Sequence, residues 1–170
     1  MVVVNDGRLI DGPVQGVGYA SGAQTGITGS DGEFRYEAGN TVQFFIGDIT
    51  LGQAASGKAL MTPLDLVPGG TLDTPAVINI ARLLQSLDAV PGDNRITIPG
   101  TLRRAAVYDN VHLSVSSVSV DFSDDAAFIN AATQLTATLT ASYPFTAVLV
   151  DAVTARRHLV ASLAEAGIGE

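Results

Sequence analysis

The 170 residues carry 9 basic and 17 acidic side chains, a net charge of -8, with 46% hydrophobic residues, 15% charged residues and no cysteine. That balance repels nucleic-acid phosphates and anionic lipid surfaces, leaves out disulfides, thiolate nucleophiles and cysteine-held zinc, and the length suits one sizeable core rather than two. No apolar run approaches the ~18 residues of a membrane span, so no transmembrane segment is expected, and the high apolarity means either a well-filled core or an apolar surface kept for a ligand or neighbouring subunit.

The opening Met1-Val2-Val3-Val4-Asn5-Asp6 lacks the basic stretch and longer apolar run of a signal peptide, which leaves a cytosolic chain or one whose leader has been removed. The first sixty or so residues hold most of the glycines and predict short strands between turns. Val14 to Ser21 alternates as one Gly-rich strand, and Thr25-Gly26-Ile27-Thr28 follows. Asp31-Gly32 then favours a tight turn with positive φ before the Phe34 and Tyr36 strand. The clearest pattern is a hairpin: Val42, Phe44 and Ile46 share one face, Gly47-Asp48 turns, and Ile49 and Leu51 return.

Gly52 to Gly70, with Pro63 and Pro68, predicts a loop-rich hinge between layers. Val77, Ile80, Ala81, Leu84 and Leu87 recur at helical spacing after Pro75, predicting a helix from Thr74 to Asp88 with Asn79, Arg82 and Gln85 off its apolar face. A short strand from Arg95 to Ile98 and a brief segment from Thr101 to Ala106 come next. Val111, Leu113 and Val115, then Val118, Val120 and Phe122 on the other parity, predict a strand with a bulge at Ser116-Ser117. Ser123 is the expected cap of a helix with Asp124 and Asp125 in its first turn and a stripe of Phe128, Ala131, Ala132 and Leu135. A closing helix from Asp151 to Ala166 buries Ala155, Leu159, Val160 and Leu163 and stops at Gly167. The expected class is α+β: a β-sandwich-like antiparallel sheet region over 1–70, and a helical and strand region over 71–170 that packs on it and shares its core.

Asp11-Gly12-Pro13-Val14-Gln15-Gly16-Val17-Gly18-Tyr19, Thr25-Gly26-Ile27-Thr28 and Asp31-Gly32-Glu33-Phe34-Arg35-Tyr36 resemble the carboxypeptidase-regulatory or transthyretin-like β-sandwich pattern. The stretch Gly39 to Gly52, Thr62-Pro63-Leu64-Asp65-Leu66 and the Asn79 to Asp88 helix resemble domains of exported bacterial surface proteins and lipoproteins, and the likeness covers most of the chain. It implies export to the periplasm or cell surface and a binding or structural role, with no catalytic residues to carry over. It also implies an Asp-rich loop after the helix, of which this chain keeps Asp88, Asp93 and Asn94 as calcium candidates. The lipid-attachment cysteine of the lipoprotein members is not among the residues.

Other constellations have plain structural readings. Gly52 to Ala59 nearly spells a phosphate loop around Lys58, but Ala59 replaces the magnesium-holding hydroxyl and Pro63 interrupts the helix that should follow. His112 and His158 lack a second histidine at metal spacing, and no nucleophile-elbow motif is present, so an active site would have to be assembled in space. The pairs Asp31 with Glu33 and Asp124 with Asp125 belong to a turn and a helix start. Val2, Val3 and Val4 either form the edge strand of their own sheet or are donated to another molecule.

These features lead to a non-catalytic exported binding or self-assembly module whose partner is itself or another surface protein. The alternative is a carrier of an apolar small molecule, a lipid or hydrocarbon held between sheet and helices by Phe44, Ile46, Leu84 and Phe128. An enzyme with a spatially assembled site is the third reading. No cofactor is called for, and calcium is the one candidate.

Overall fold

A computed structural model describes residues 2–106 and 120–168. The strands are β1 (Val4–Leu9), β2 (Val14–Gln15), β3 (Gly18–Ser21), β4 (Gln24–Ile27), β5 (Glu33–Glu37), β6 (Thr41–Ile46), β7 (Ile49–Thr50), β8 (Ala55–Ser56), β9 (Leu60–Met61) and β10 (Ile96–Thr97). The helices are α1 (Pro75–Ser86), which precedes β10, then α2 (Gly100–Ala105), α3 (Asp125–Leu139) and α4 (Ala152–Glu165). The class is α+β, with the sheets in the N-terminal part and the helices in the C-terminal part.

Among the described residues one sheet has the order β5-β1-β9, a second β4-β3-β6-β7 with β8 also paired to β6, and β10 and β2 form a third. Most pairings are antiparallel, but β9 joins β1 and β10 joins β2 in parallel, an addition the expected antiparallel sheet lacked. Strict alternation in β5 and β6 sends Phe34, Tyr36, Val42, Phe44 and Ile46 inward, as the sequence pattern predicts. The first and second sheets meet through Phe34, whose ring centroid lies 5.9 Å from Tyr19 and 5.1 Å from Phe44. Each large side chain buried here contributes roughly 1.5–3 kcal/mol of transfer free energy.

The hairpin over 41–51 forms as expected, with Ile46 opposite Ile49 and Gly47 at φ +56°. The predicted continuous strand from Val14 to Ser21 does not form. Gly16 takes φ +93°, a conformation that breaks a ladder, and β2 and β3 therefore join different sheets. Three further glycines admit rings: Gly7, Gly18 and Gly26 stand directly opposite Phe34, Phe45 and Tyr19, and a Cβ at any of them would fall within 2.8 Å of that side chain.

Helix α1 begins after Thr74 with Pro75 in its first turn and ends at Ser86, two residues before the predicted Asp88. Its Ile80, Leu83 and Leu84, with Leu87 just beyond its end, join the main core together with Phe128, Ala132 and Leu135 of α3. The side expected to be polar is covered as well. Asn79 Nδ2 donates to the Phe122 carbonyl and Asp125 Oδ1, Arg82 Nε donates to the Val150 carbonyl, and the guanidinium lies 5.3 Å from the Phe128 ring centre. A separate, smaller apolar seam joins α1 to α4 through Val77, Ile78, Ala81, Ala155, Leu159 and Leu163.

Asp124, not Ser123, caps α3, its carboxylate accepting from Ala127 N, because the Ser123 hydroxyl is engaged by Asp121. Asp151 caps α4 in the same way through Thr154 N. Val160 is half-buried rather than buried. Most of the strand predicted around Val111 to Val118, including His112, lies outside the described residues. Its described end, Val120 to Phe122, is not strand, and Phe122 instead packs 5.6 Å from Phe128.

Candidate functional site

Among the described residues two places stand out for gathering polar side chains outside the core. The first is an open cleft of about 760 Å³ beside the β1–β5 pair, reached also by β3, β4 and the segment before β9. Cross-strand pairing puts Asp6 opposite Arg35 and Arg8 opposite Glu33, so both arginines line the same opening. Glu33 turns away to accept the Asp31 N–H at 2.6 Å. Among the described residues neither the Arg8 nor the Arg35 guanidinium has a hydrogen-bond or ion-pair partner. The exposed Ile27 supplies an apolar margin, with the buried Tyr19 and Phe34 beneath it.

The second is a junction of chain segments far apart in sequence. The turn between β1 and β2 closes on an Ile10–Pro13 bridge, and Gly12 takes φ +64° against the Asn94 carbonyl, where a Cβ would sit 2.0 Å away. That turn holds the Asp11 carboxylate fully buried. His158 Nδ1 of α4 donates to Asp11 Oδ1 at 2.8 Å, and Gln85 Nε2 of α1 donates to Oδ2 at 3.0 Å. The Asp11 hydrogen bond, the chief cause, pulls the His158 pKa above 6.5, against burial and with help from the charges of Asp11, Asp88 and Glu165. The ring borders a cleft of about 310 Å³ with Asp93, Asn94, Ser162 and Glu165. Ser162 Oγ donates to the His158 carbonyl, so the helix backbone and not the ring engages that hydroxyl.

Two curated proteins resemble this chain. The "Putative lipoprotein AcfD homolog" of Escherichia coli (strain K12) is 28% identical over 123 residues, and the "Putative lipoprotein YghJ" of Escherichia coli O78:H11 (strain H10407 / ETEC) is 27% identical over 123 residues. Each match covers 70% of this chain and 8% of the relative. No family model matches the chain, and no solved structure does.

The residues singled out from sequence fall in different places. Asp88 Oδ1 accepts from Val90 N and Thr97 N, and Asp93 Oδ1 accepts from Arg95 N, so both carboxylates serve loop geometry. Burial is the main influence raising the Asp88 pKa, opposed by those two N–H bonds. Among the described residues no group of three or more His, Cys, Asp or Glu is placed to hold a metal. Phe44, Ile46, Leu84 and Phe128 are fully buried in one core, and none lines either polar site. Val2, Val3 and Val4 are 61%, 56% and 42% exposed, and Val4 pairs with Glu37 in its own sheet. Lys58 pairs with Asp65 at 2.6 Å. Sequence reasoning missed the Asp11–Gln85–His158 junction and the two cleft arginines. The polar member of the Asp-Gly-Pro turn was the one signal for the first, and strand parity after Val4 the one for the second. No helix among the described residues is long and apolar enough to cross a membrane.

Proposed function

We propose that the chain is a non-catalytic binding module of an exported bacterial surface protein, and that it binds through the cleft beside β1 and β5. The observation that carries this reading is the pair of partnerless guanidiniums, Arg8 and Arg35, on one open wall in a chain of net charge -8. Planar guanidinium forks suit carboxylates, Asp6 adds an acceptor suited to hydroxyls, and the exposed Ile27 at the margin suits the apolar face of a sugar ring. An acidic oligosaccharide combines those features. Export and surface attachment draw support from the relatives' lipoprotein names, and the module reading from the short share of each relative that the match occupies.

Calorimetric titration with a galacturonate hexamer tests this, with neutral maltohexaose as the comparison. The acidic oligomer binds, and the Arg8→Gln/Arg35→Gln double variant loses binding at least tenfold while melting normally. Equal binding of both oligomers, or no binding of the acidic one, removes the proposal. Self-assembly is a second reading favoured by the exposure of Val2 and Val3. Removing residues 1–3, which leaves β1 whole, shifts a sizing-column profile toward smaller species under that reading, and an unchanged profile discards it.

A further inference from the structure

We propose that α4 is fastened by a proton-dependent clasp, in which the His158 imidazolium holds the closing helix onto the buried Asp11 carboxylate and loss of that proton loosens the helix from α1. The geometry supplies both halves of a switch. Asp11 is 0% exposed while the His158 side chain is 32% exposed, so the acid is locked in the fold and the base is open to exchange protons with solvent. Asp11 is reached by two side chains, His158 and Gln85, one from each helix of the seam, and Gln85 Nε2 also donates to the Ala155 carbonyl of α4 at 3.2 Å. The remaining hold on α4 is the small seam of Val77, Ile78, Ala81, Ala155, Leu159 and Leu163, separate from the main core, and the exposed Arg156 contacts with the Leu72 carbonyl and Asp73. Elements with few buried contacts open before the rest of a domain.

The Asp11, Asp88 and Glu165 charges favour the protonated ring, and burial opposes them. Asp11 faces it from the β1–β2 turn, Asp88 from beyond the end of α1, Asp93 from the loop across the cleft, and Glu165 from α4 itself. Arg8 and Glu165 both line the small adjoining cleft. A histidine raised in the folded state contributes stability that is complete below 6.5 and is lost as pH rises through the folded value. The clasp is therefore closed in mild acid and opens toward alkali. Between 6.5 and the folded value the opening equilibrium of α4 rises by up to about tenfold per pH unit. Asp88 is also raised and acts in the same direction, but its window starts at 3.8, well below that of the ring.

Hydrogen exchange of the Leu159 and Leu163 amides, taken relative to Val42 and Phe44 in β6 and corrected for intrinsic rates, is measured from about pH 5.5 to about pH 9. The relative exchange of α4 rises with pH in the native chain and loses that rise in both His158→Gln and Asp11→Asn. A flat native profile, or the same rise in His158→Gln, overturns the clasp. Should either variant fail to fold, the imidazole titration of the native chain followed by NMR decides. A His158 midpoint above 6.5 with a parallel shift in α4 amide signals supports the clasp, and a midpoint at or below 6.5 overturns it.

Discussion

Gly7→Ala and Gly18→Ala make the same chemical change in the same cross-strand setting, yet the packing around them predicts different costs. Gly7 lies opposite Phe34 and Gly18 opposite Phe45. An added methyl would come within 2.5 Å of Phe34 Cζ in the first case and 2.3 Å of Phe45 Cε2 in the second. Phe34 is 1% exposed and is hemmed in by Tyr19, Tyr36 and Phe44, so its ring has nowhere to go. The Lys58 carbonyl, 2.8 Å from the new methyl, blocks the other side. Phe45 is half-buried on the outer face and can swing toward solvent. Overpacking a rigid site costs ~1–3 kcal/mol, whereas replacing glycine inside a strand returns roughly 0.5–1 kcal/mol of backbone entropy. Gly7→Ala is therefore expected to lose about 1–2 kcal/mol, a fall of roughly 2–8 °C in Tm at this chain length, and Gly18→Ala to stay within about 0.5 kcal/mol of the parent. Urea unfolding followed by far-UV circular dichroism measures both. The Phe34→Leu background should reduce the Gly7→Ala penalty. Equal penalties for the two glycines, or no relief from Phe34→Leu, would refute the reasoning that ring confinement sets the cost.

Arg82→Met strips charged donors from the Val150 carbonyl and Asn79 Oδ1 and removes the guanidinium from the Phe128 face, for an expected loss of about 2–3 kcal/mol in the same urea assay. A loss below about 1 kcal/mol would mean the network is not formed in solution. Tyr143 donates its hydroxyl to the Leu87 carbonyl at 2.6 Å, and burial, aided by the Asp88 charge, holds its phenol above the ordinary 10.0. Because that value is raised on folding, its contribution is complete below 10.0 and fades as pH climbs through the folded value. Absorbance titration at alkaline pH should show a tyrosine step above 10.0 that Tyr143→Phe removes. Leu159→Ala, in the seam between α1 and α4, should cost ~2–4 kcal/mol and raise α4 amide exchange far more than β6 exchange. Uniform acceleration across both elements would show that the seam opens only with the whole fold.

Much of the fold was legible in local pattern. The alternation of Val42, Phe44 and Ile46 with a Gly-Asp turn describes its own hairpin, and the stripe from Val77 to Leu84 describes its own buried helix face. The break at Gly16 was not legible, because apolar-small alternation continues through it and only the backbone angle reveals the change of sheet. Asn79 and Arg82 misled for a different reason. Their wheel positions are polar, and they are buried by partners at Phe122, Asp125 and Val150 that periodicity along α1 cannot see. The same limit hid the candidate sites. Asp11 and His158 are 147 positions apart, and the isolation of Arg8 depends on Glu33 turning toward Asp31. Charges at such positions carry no spacing signal, since their meaning comes from the element packed across from them.

The bond from Asp11 to His158 also orders events in time. A chain made from its N-terminus offers the sheets and α1 to the solvent long before α4 exists, so Val77, Ile78 and Ala81 wait uncovered while the remaining residues are added. Contacts across so long a loop form slowly. The seam on α1 thus closes only when α4 arrives, and until then the growing chain presents a greasy strip on α1 beside an acid that has no base to meet.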